Sequence, residues 1–146
     1  MAGTLRIRIA EPEEFDRVCA AYTAWGYPGR PLESDIIFTA YSADDLIGIV
    51  RRTVEHGHMM LRGMHVAPEW QRRGVGARLL AAFEADLPDR PCLCVPYSHL
   101  ETFYGSIGFE RIAEELAPPF LQERLAAYRA QGRAMMIMRR PAPPAQ

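Results

Sequence analysis

The chain predicts a mixed α/β (α+β) fold, a mostly antiparallel central sheet of about six to seven strands flanked by helices. Three observations carry this expectation. Short runs of alternating or wholly apolar character recur along the chain, and between Ile36 and Val66 only turn residues separate them. Elsewhere, apolar residues spaced i, i+3, i+4 and i+7 mark helices between the strands. The 146 residues, 49% hydrophobic and 24% charged, suit one globular domain, expected over 1–140 and followed by a proline-rich disordered tail at 141–146.

In order, Leu5 to Ala10 alternates Leu-Arg-Ile-Arg-Ile-Ala, a strand with one buried face. Glu11-Pro12-Glu13-Glu14 places acids and a proline where a helix starts, and Phe15, Val18, Cys19 and Tyr22 continue it until Gly26 and Pro28 break the pattern. Ile36 to Tyr41, Leu46 to Val54 and Met59 to Val66 read as three strands in a meander, with turns at Ala43-Asp44-Asp45 and His56-Gly57-His58. A helix after Pro68 carries the stripe Val75, Leu79, Leu80, Phe83 and Leu87, ending at Pro88. Pro91 to Val95 is a short buried strand. Leu100, Phe103, Tyr104 and Ile107 define a helix closed by Gly108, with Ser98 as its cap, and Phe109 to Ile112 is extended. Phe120 to Tyr128 forms the last helix and Ala134 to Met138 the last strand, and exposed final strands would let two chains pair as a homodimer. No internal repeat is present.

Seventeen Lys and Arg against 18 Asp and Glu give a net charge of -1, so no global field draws in DNA, RNA or an anionic membrane. No apolar run reaches the roughly 20 residues of a membrane span, and the N-terminus lacks a signal-peptide pattern, which places the protein in the cytoplasm. Cys19, Cys92 and Cys94 make an odd count. C-x-C lacks zinc spacing and has no second ligand pair, so the three read as reduced packing residues and no metal is expected.

Chemistry concentrates in Val66 to Leu80: a strand end, a short loop with Gly74 and Gly76, and a helix start. Unpaired N–H groups and the positive dipole end of a helix favour an anion, glycines permit close approach, and Arg72 and Arg73 add charge. By itself a G-x-G of this kind is more readily a turn flanked by a solvated face. The segment is no P-loop, and it lacks the third glycine of G-x-G-x-x-G.

Gln71-Arg72-Arg73-Gly74-Val75-Gly76 resembles the loop [QR]-x-x-G-x-[GA] of motif A in the GNAT superfamily of N-acetyltransferases. Upstream, Met64 to Glu69 resembles the end of the family's fourth strand. Downstream, Tyr97 to Ile112, with Phe103-Tyr104-Gly105-Ser106-Ile107-Gly108-Phe109, resembles its motif B. The resemblance implies a sheet splayed between strands four and five and acetyl-CoA as co-substrate. Its pyrophosphate would rest on Gln71, Arg72, Arg73, Gly74, Val75, Gly76 and Ala77, and Met64, His65 and Val66 would line the pantetheine arm and thioester. Tyr104 aligns with the family's general acid, a phenol protonated at neutral pH, although the same residue fits a core stripe with Leu100 and Ile107.

Two departures from the family pattern matter. The fourth strand, Met59 to Val66, has no acid where many members carry a glutamate, which leaves His65, a packing or pantetheine contact in its other reading, or a water chain as base. Tyr97 replaces an asparagine often found seven residues before the tyrosine. The acceptor, a small-molecule or peptide amine, would be held by Tyr22 to Asp35 and Leu116 to Gln122, with Trp25, Tyr27, Glu33, Asp35, Tyr97 and Phe120 as wall and charge candidates. A non-catalytic acyl-CoA-binding regulatory domain is the rival reading, and a nucleic-acid or protein-binding module using Arg72, Arg73 and Arg78 a weaker one.

Overall fold

The structure is a computed structural model that describes residues 4–143. In chain order the elements are β1 (Leu5–Ile9), α1 (Phe15–Ala24), β2 (Ile36–Ser42), β3 (Asp45–Glu55), β4 (His58–Val66), α2 (Val75–Ala85), β5 (Cys92–Cys94), α3 (Glu101–Gly105), β6 (Glu110–Arg111), α4 (Pro119–Ala130) and β7 (Met138–Arg140). Seven strands form one sheet in the order β1-β2-β3-β4-β5-β7-β6. The fold class expected from the sequence is present. β1, β2 and β3 pair antiparallel, whereas β4 and β5 run parallel through Met59 with Cys92 and Met60 with Leu93, after which β4 continues to Val66. Residues 144–146 of the expected tail lie outside the described residues, and 141–143 carry no helix or strand.

The chain divides into two compact units, one of residues 1–55 and 61–87, the other of 56–60 and 88–146. In the first, β2 is buried on both faces, which is why its sequence Ile-Ile-Phe-Thr-Ala-Tyr-Ser does not alternate. Ile37 packs with Val18 and Tyr22 of α1 and with Ile49, while its neighbour Phe38, pointing the other way, meets Phe83 of α2 at 5.5 Å between ring centroids. Gly48 lets α2 approach β3 closely: a Cβ there would lie 2.9 Å from Leu79 Cδ1 and 3.1 Å from Val75 Cγ1.

In the second unit, Leu121 and Leu125 of α4 close a core with Met60, Leu93, Met135 and Ile137. Burying each such side chain stabilises the unit by about 1.5–3 kcal/mol. Two sequence expectations need correction here. The last strand is Met138–Arg140, not Ala134 to Met138. Tyr97 bridges Met135 in the same register that pairs Cys94 with Met138, with Ser98 N–H donating to Ala134 O at 2.9 Å, but Pro96 lies between and has no N–H to donate, so opposite Met136 the ladder keeps the bond from Met136 N–H to Pro96 O, at 3.0 Å, and loses its reciprocal. The ladder is interrupted at the proline. β7 also lies between β5 and β6, so it is not an exposed edge; the sheet's edges are β1 and the two-residue β6. The second correction concerns α3, which covers only Glu101–Gly105 after a 3-10 turn at Ser98–Leu100, with no capping bond from a side chain. Ser98 opens that turn and is not a helix cap. Gly108, at φ +94, ends the segment as expected.

Candidate active site

The loop before α2 is shaped by its backbone. A 3-10 turn at Pro68–Trp70 leads into Gln71, whose side-chain amide donates to Val66 O at 3.1 Å. Arg72 at φ +64 and Gly74 at φ +80 both take the left-handed conformation, so the chain reverses tightly. Gly74 caps α2: its carbonyl accepts from Arg78 N–H at 3.2 Å, which leaves the N–H groups of Val75, Gly76 and Ala77 without intrahelical acceptors. No acidic side chain stands in the first turn, and a Cβ on Gly74 would find nothing within 4 Å. Gln71, Arg72 and Arg73 are exposed, and the Arg73 guanidinium lies 5.1 Å over the Trp70 ring. This is an open, cationic helix start able to receive an anion.

The same unit brings three of the expected site residues together. His65, near the end of β4, stacks on Trp25 with centroids 5.6 Å apart and planes 12° from parallel, and Tyr27 lies 6.1 Å away. Burial disfavours the imidazolium and holds the His65 pKa below its ordinary value, so at neutral pH the ring is a free base. Glu33 is exposed.

Beside them lies a buried network not evident from the sequence. Gly63, inside β4, has φ +67, a left-handed conformation that glycine takes without strain. Tyr22 Oη donates to its carbonyl at 2.7 Å and accepts from Arg51 Nε at 3.3 Å, and Arg51 Nη1 donates to Asp35 Oδ2 at 2.7 Å. The Arg51 and Asp35 side chains are 4% and 1% exposed. Burial pushes the Tyr22 phenol pKa up. Burial opposes the Arg51 charge as well, but Tyr22 and Asp35 outweigh it and the guanidinium pKa is raised. Asp35, expected to attract an ammonium group, is thus already engaged by Arg51 and by Leu32 N–H at 2.9 Å. A signal was present in the sequence: an isolated glycine within a strand pattern marks a bulge or a close approach.

The remaining residues belong to the second unit. Tyr104 is buried on α3, edge-on to Phe103 and Phe109 at 4.9 and 6.3 Å. Tyr97 is exposed and its hydroxyl accepts from Arg133 Nε at 3.2 Å. Phe120 packs on His56 and His58 at 4.5 and 5.8 Å, at the turn that opens β4, whereas His65 sits near the other end of that strand. Cys92 and Cys94 are reduced and buried, and burial raises the Cys94 thiol pKa. Among the described residues no His, Cys, Asp and Glu side chains cluster as metal ligands, and no helix is long and apolar enough to cross a membrane.

Comparison with known proteins agrees with this geometry. Curated protein sequences give no match. Among solved structures, the ribosomal-protein-S18-alanine N-acetyltransferase of Escherichia coli superposes with a TM-score of 0.69 at 18% identity, covering 98% of this chain and 97% of that one. The N-acetylglutamate synthase of Neisseria gonorrhoeae, complexed with coenzyme A and N-acetyl-glutamate, gives 0.68 at 17% identity over 99% of this chain, which spans only 36% of that protein. The PaiA N-acetyltransferase of Thermoplasma acidophilum, in complex with coenzyme A, gives 0.60 at 16% identity over 94% of this chain and 99% of that one. At such identities these likenesses establish the fold. The family model for the acetyltransferase (GNAT) domain matches residues 33–111, more than half of the chain, and takes in β2 to β6 with the Gly74 loop and Tyr104. The protein is therefore a member of the GNAT family of acetyltransferases.

Proposed function

We propose that the protein is an acetyl-CoA-dependent N-acetyltransferase that moves the acetyl group directly onto a primary amine of a small molecule or peptide. The observation that carries this reading is the start of α2, where Gly74 is left-handed, three N–H groups lack intrahelical acceptors, no acid intervenes and Arg72 and Arg73 are free to meet phosphate. The pyrophosphate rests on Gln71 to Ala77, and the backbone of Met64, His65 and Val66 meets the pantetheine amides.

In the reaction the amine lone pair attacks the thioester carbonyl carbon, and the carbon–sulfur bond then breaks. Tyr104 supplies a proton to the departing thiolate. The nitrogen loses its proton to neutral His65, whose lowered pKa keeps it unprotonated at pH 7, or to water. Trp25 and Tyr27 wall the amine beside His65. The rival reading, an acyl-CoA-binding regulatory domain, is favoured by one observation only: β4 carries no carboxylate.

Calorimetric titration with acetyl-CoA tests the cofactor assignment. The parent should bind, and Arg72→Ala with Arg73→Ala should weaken binding about tenfold, roughly 1.4 kcal/mol, with the melting temperature unchanged because both side chains are exposed. Release of free CoA thiol against a panel of amines tests the chemistry, and Tyr104→Phe should cut turnover about a hundredfold. A parent that binds no acetyl-CoA overturns the assignment. Tight binding with turnover unaltered in Tyr104→Phe selects the regulatory reading.

A further inference from the structure

The second unit contains a cavity of about 450 Å³ that shares no residue with the Gln71–Ala77 loop, with His65 or with Tyr104, although Leu116 to Pro119, the start of the stretch expected from the sequence to hold the acceptor, form part of its wall. That volume is in the range of small-molecule sites. Its wall is made by the turn that opens β4, the segment before β5, the segment after β6, the start of α4 and one residue of β7. Two arginines, Arg90 and Arg139, line it with His58, while Met59, Ile112 and Leu116 give it an apolar surface. Among the described residues no carboxylate lines it.

The two guanidiniums differ from five others in the chain. Arg8, Arg51, Arg52, Arg62 and Arg129 each pair with a carboxylate, at 2.6 to 3.0 Å. Neither the Arg90 nor the Arg139 guanidinium makes an ion pair or a hydrogen bond among the described residues, although Asp89 is adjacent to the first and Glu110 is the cross-strand partner of the second. Beside them Leu116 is 76% exposed, an aliphatic side chain left in water at the cavity wall. Unpaired planar donors that favour an oxyanion, set against an apolar wall, match a molecule with both parts.

We propose that this cavity is a second binding site, for a small organic anion that has a carboxylate or phosphate head and an apolar body. Arg90 and Arg139 hold the head, and Met59, Ile112 and Leu116 cover the body. Occupancy would report on a metabolite other than the acetyl donor.

Calorimetry with octanoate, octyl phosphate, 1-octanol and inorganic phosphate as probes tests this directly. At least one amphipathic anion should bind at least tenfold more tightly than both octanol and inorganic phosphate, and the tighter of the two identifies the head group. Arg90→Ala with Arg139→Ala should weaken that binding at least tenfold. Leu116→Glu, which places a carboxylate at the wall, should do the same, and both variants should keep acetyl-CoA affinity and melting temperature. Binding of neither anion, equal binding of octanol, affinity unchanged in the arginine double variant, or displacement of the anion by acetyl-CoA would each overturn the proposal. Failure of acetyl-CoA to bind, with octanoate still bound and sensitive to Arg90 and Arg139, would remove the cofactor assignment and leave this site standing.

Discussion

Arg51 and Arg73 belong to the same unit and are used in opposite ways. Arg51 is sealed in the interior, with one carboxylate, one phenol and, through that phenol, the carbonyl of a left-handed glycine arranged around it. Arg73 is exposed over an indole and meets no carboxylate. Each stands near a glycine of positive φ, Gly63 at +67 and Gly74 at +80. Around Gly63 the space is filled by the protein; around Gly74 it is empty. The first site is built to fix a strand and the second to leave room for something that is not protein.

The largest expected effect breaks this contrast at the buried pair. Arg51→Met leaves Asp35 buried without a countercharge and should reduce the unfolding free energy by about 3–5 kcal/mol in urea denaturation. Adding Asp35→Leu removes the orphaned carboxylate and should recover most of that loss, because a buried ion pair is worth little against apolar residues of similar size. Arg73→Ala should change stability by less than about 0.5 kcal/mol. If Arg51→Met costs no more than Arg73→Ala, the network does not hold the fold and the two arginines are not different in kind.

The glycines sharpen the same contrast at a smaller scale. Gly63→Ala must bear the left-handed conformation, about 1–2 kcal/mol, and its Cβ would overlap Tyr22 Oη and lie 2.8 Å from Arg51 Nε. A loss of about 3 kcal/mol is expected, partly relieved when Tyr22→Phe removes the hydroxyl. Gly74→Ala bears the conformational cost alone, about 1–2 kcal/mol, since nothing lies within 4 Å of its Cβ. Urea denaturation of the variants gives the comparison, and equal losses at the two glycines would mean that crowding at Gly63 is not real.

These sites also show what a sequence can reveal. The Gln71–Gly76 loop was legible because its chemistry is local: backbone donors, glycines and cations lie within a few residues, so spacing alone displays them. Tyr22, Arg51, Asp35 and Gly63 were not, because their bonds join residues 41, 29 and 16 positions apart, and no local pattern announces a partner at that distance. Asp35, read from its surroundings as a charge available to an amine, is occupied for the same reason. The strand meander was legible from alternation and turn residues. The last strand was misplaced because Met135 to Met138 are all buried and read as one apolar run, while the break comes from Pro96 on the partner strand. Phe120, named as an aromatic wall candidate within the stretch Leu116 to Gln122, packs on His56 and His58 at the turn that opens β4, partners that no local pattern announces.

The smallest effect concerns His65, which lies between the two extremes as a half-buried group with an aromatic partner. Desolvation alone lowers its pKa, so the folded state binds its proton less readily than the unfolded chain does. The stability associated with the neutral ring is therefore present above the unfolded pKa and lost as pH falls through the folded one. Trp25 supplies one face of that burial, and Trp25→Ala lets water reach the ring. An NMR titration of the histidine Cε1–H signals should show the His65 midpoint below its ordinary value in the parent and an upward move in the variant. Because it needs neither substrate nor cofactor, the measurement separates the ring's environment from its role. A His65 midpoint unmoved by loss of Trp25 would mean that β4 itself buries the ring, and the loop around Trp25 would then shape the acceptor without tuning the base.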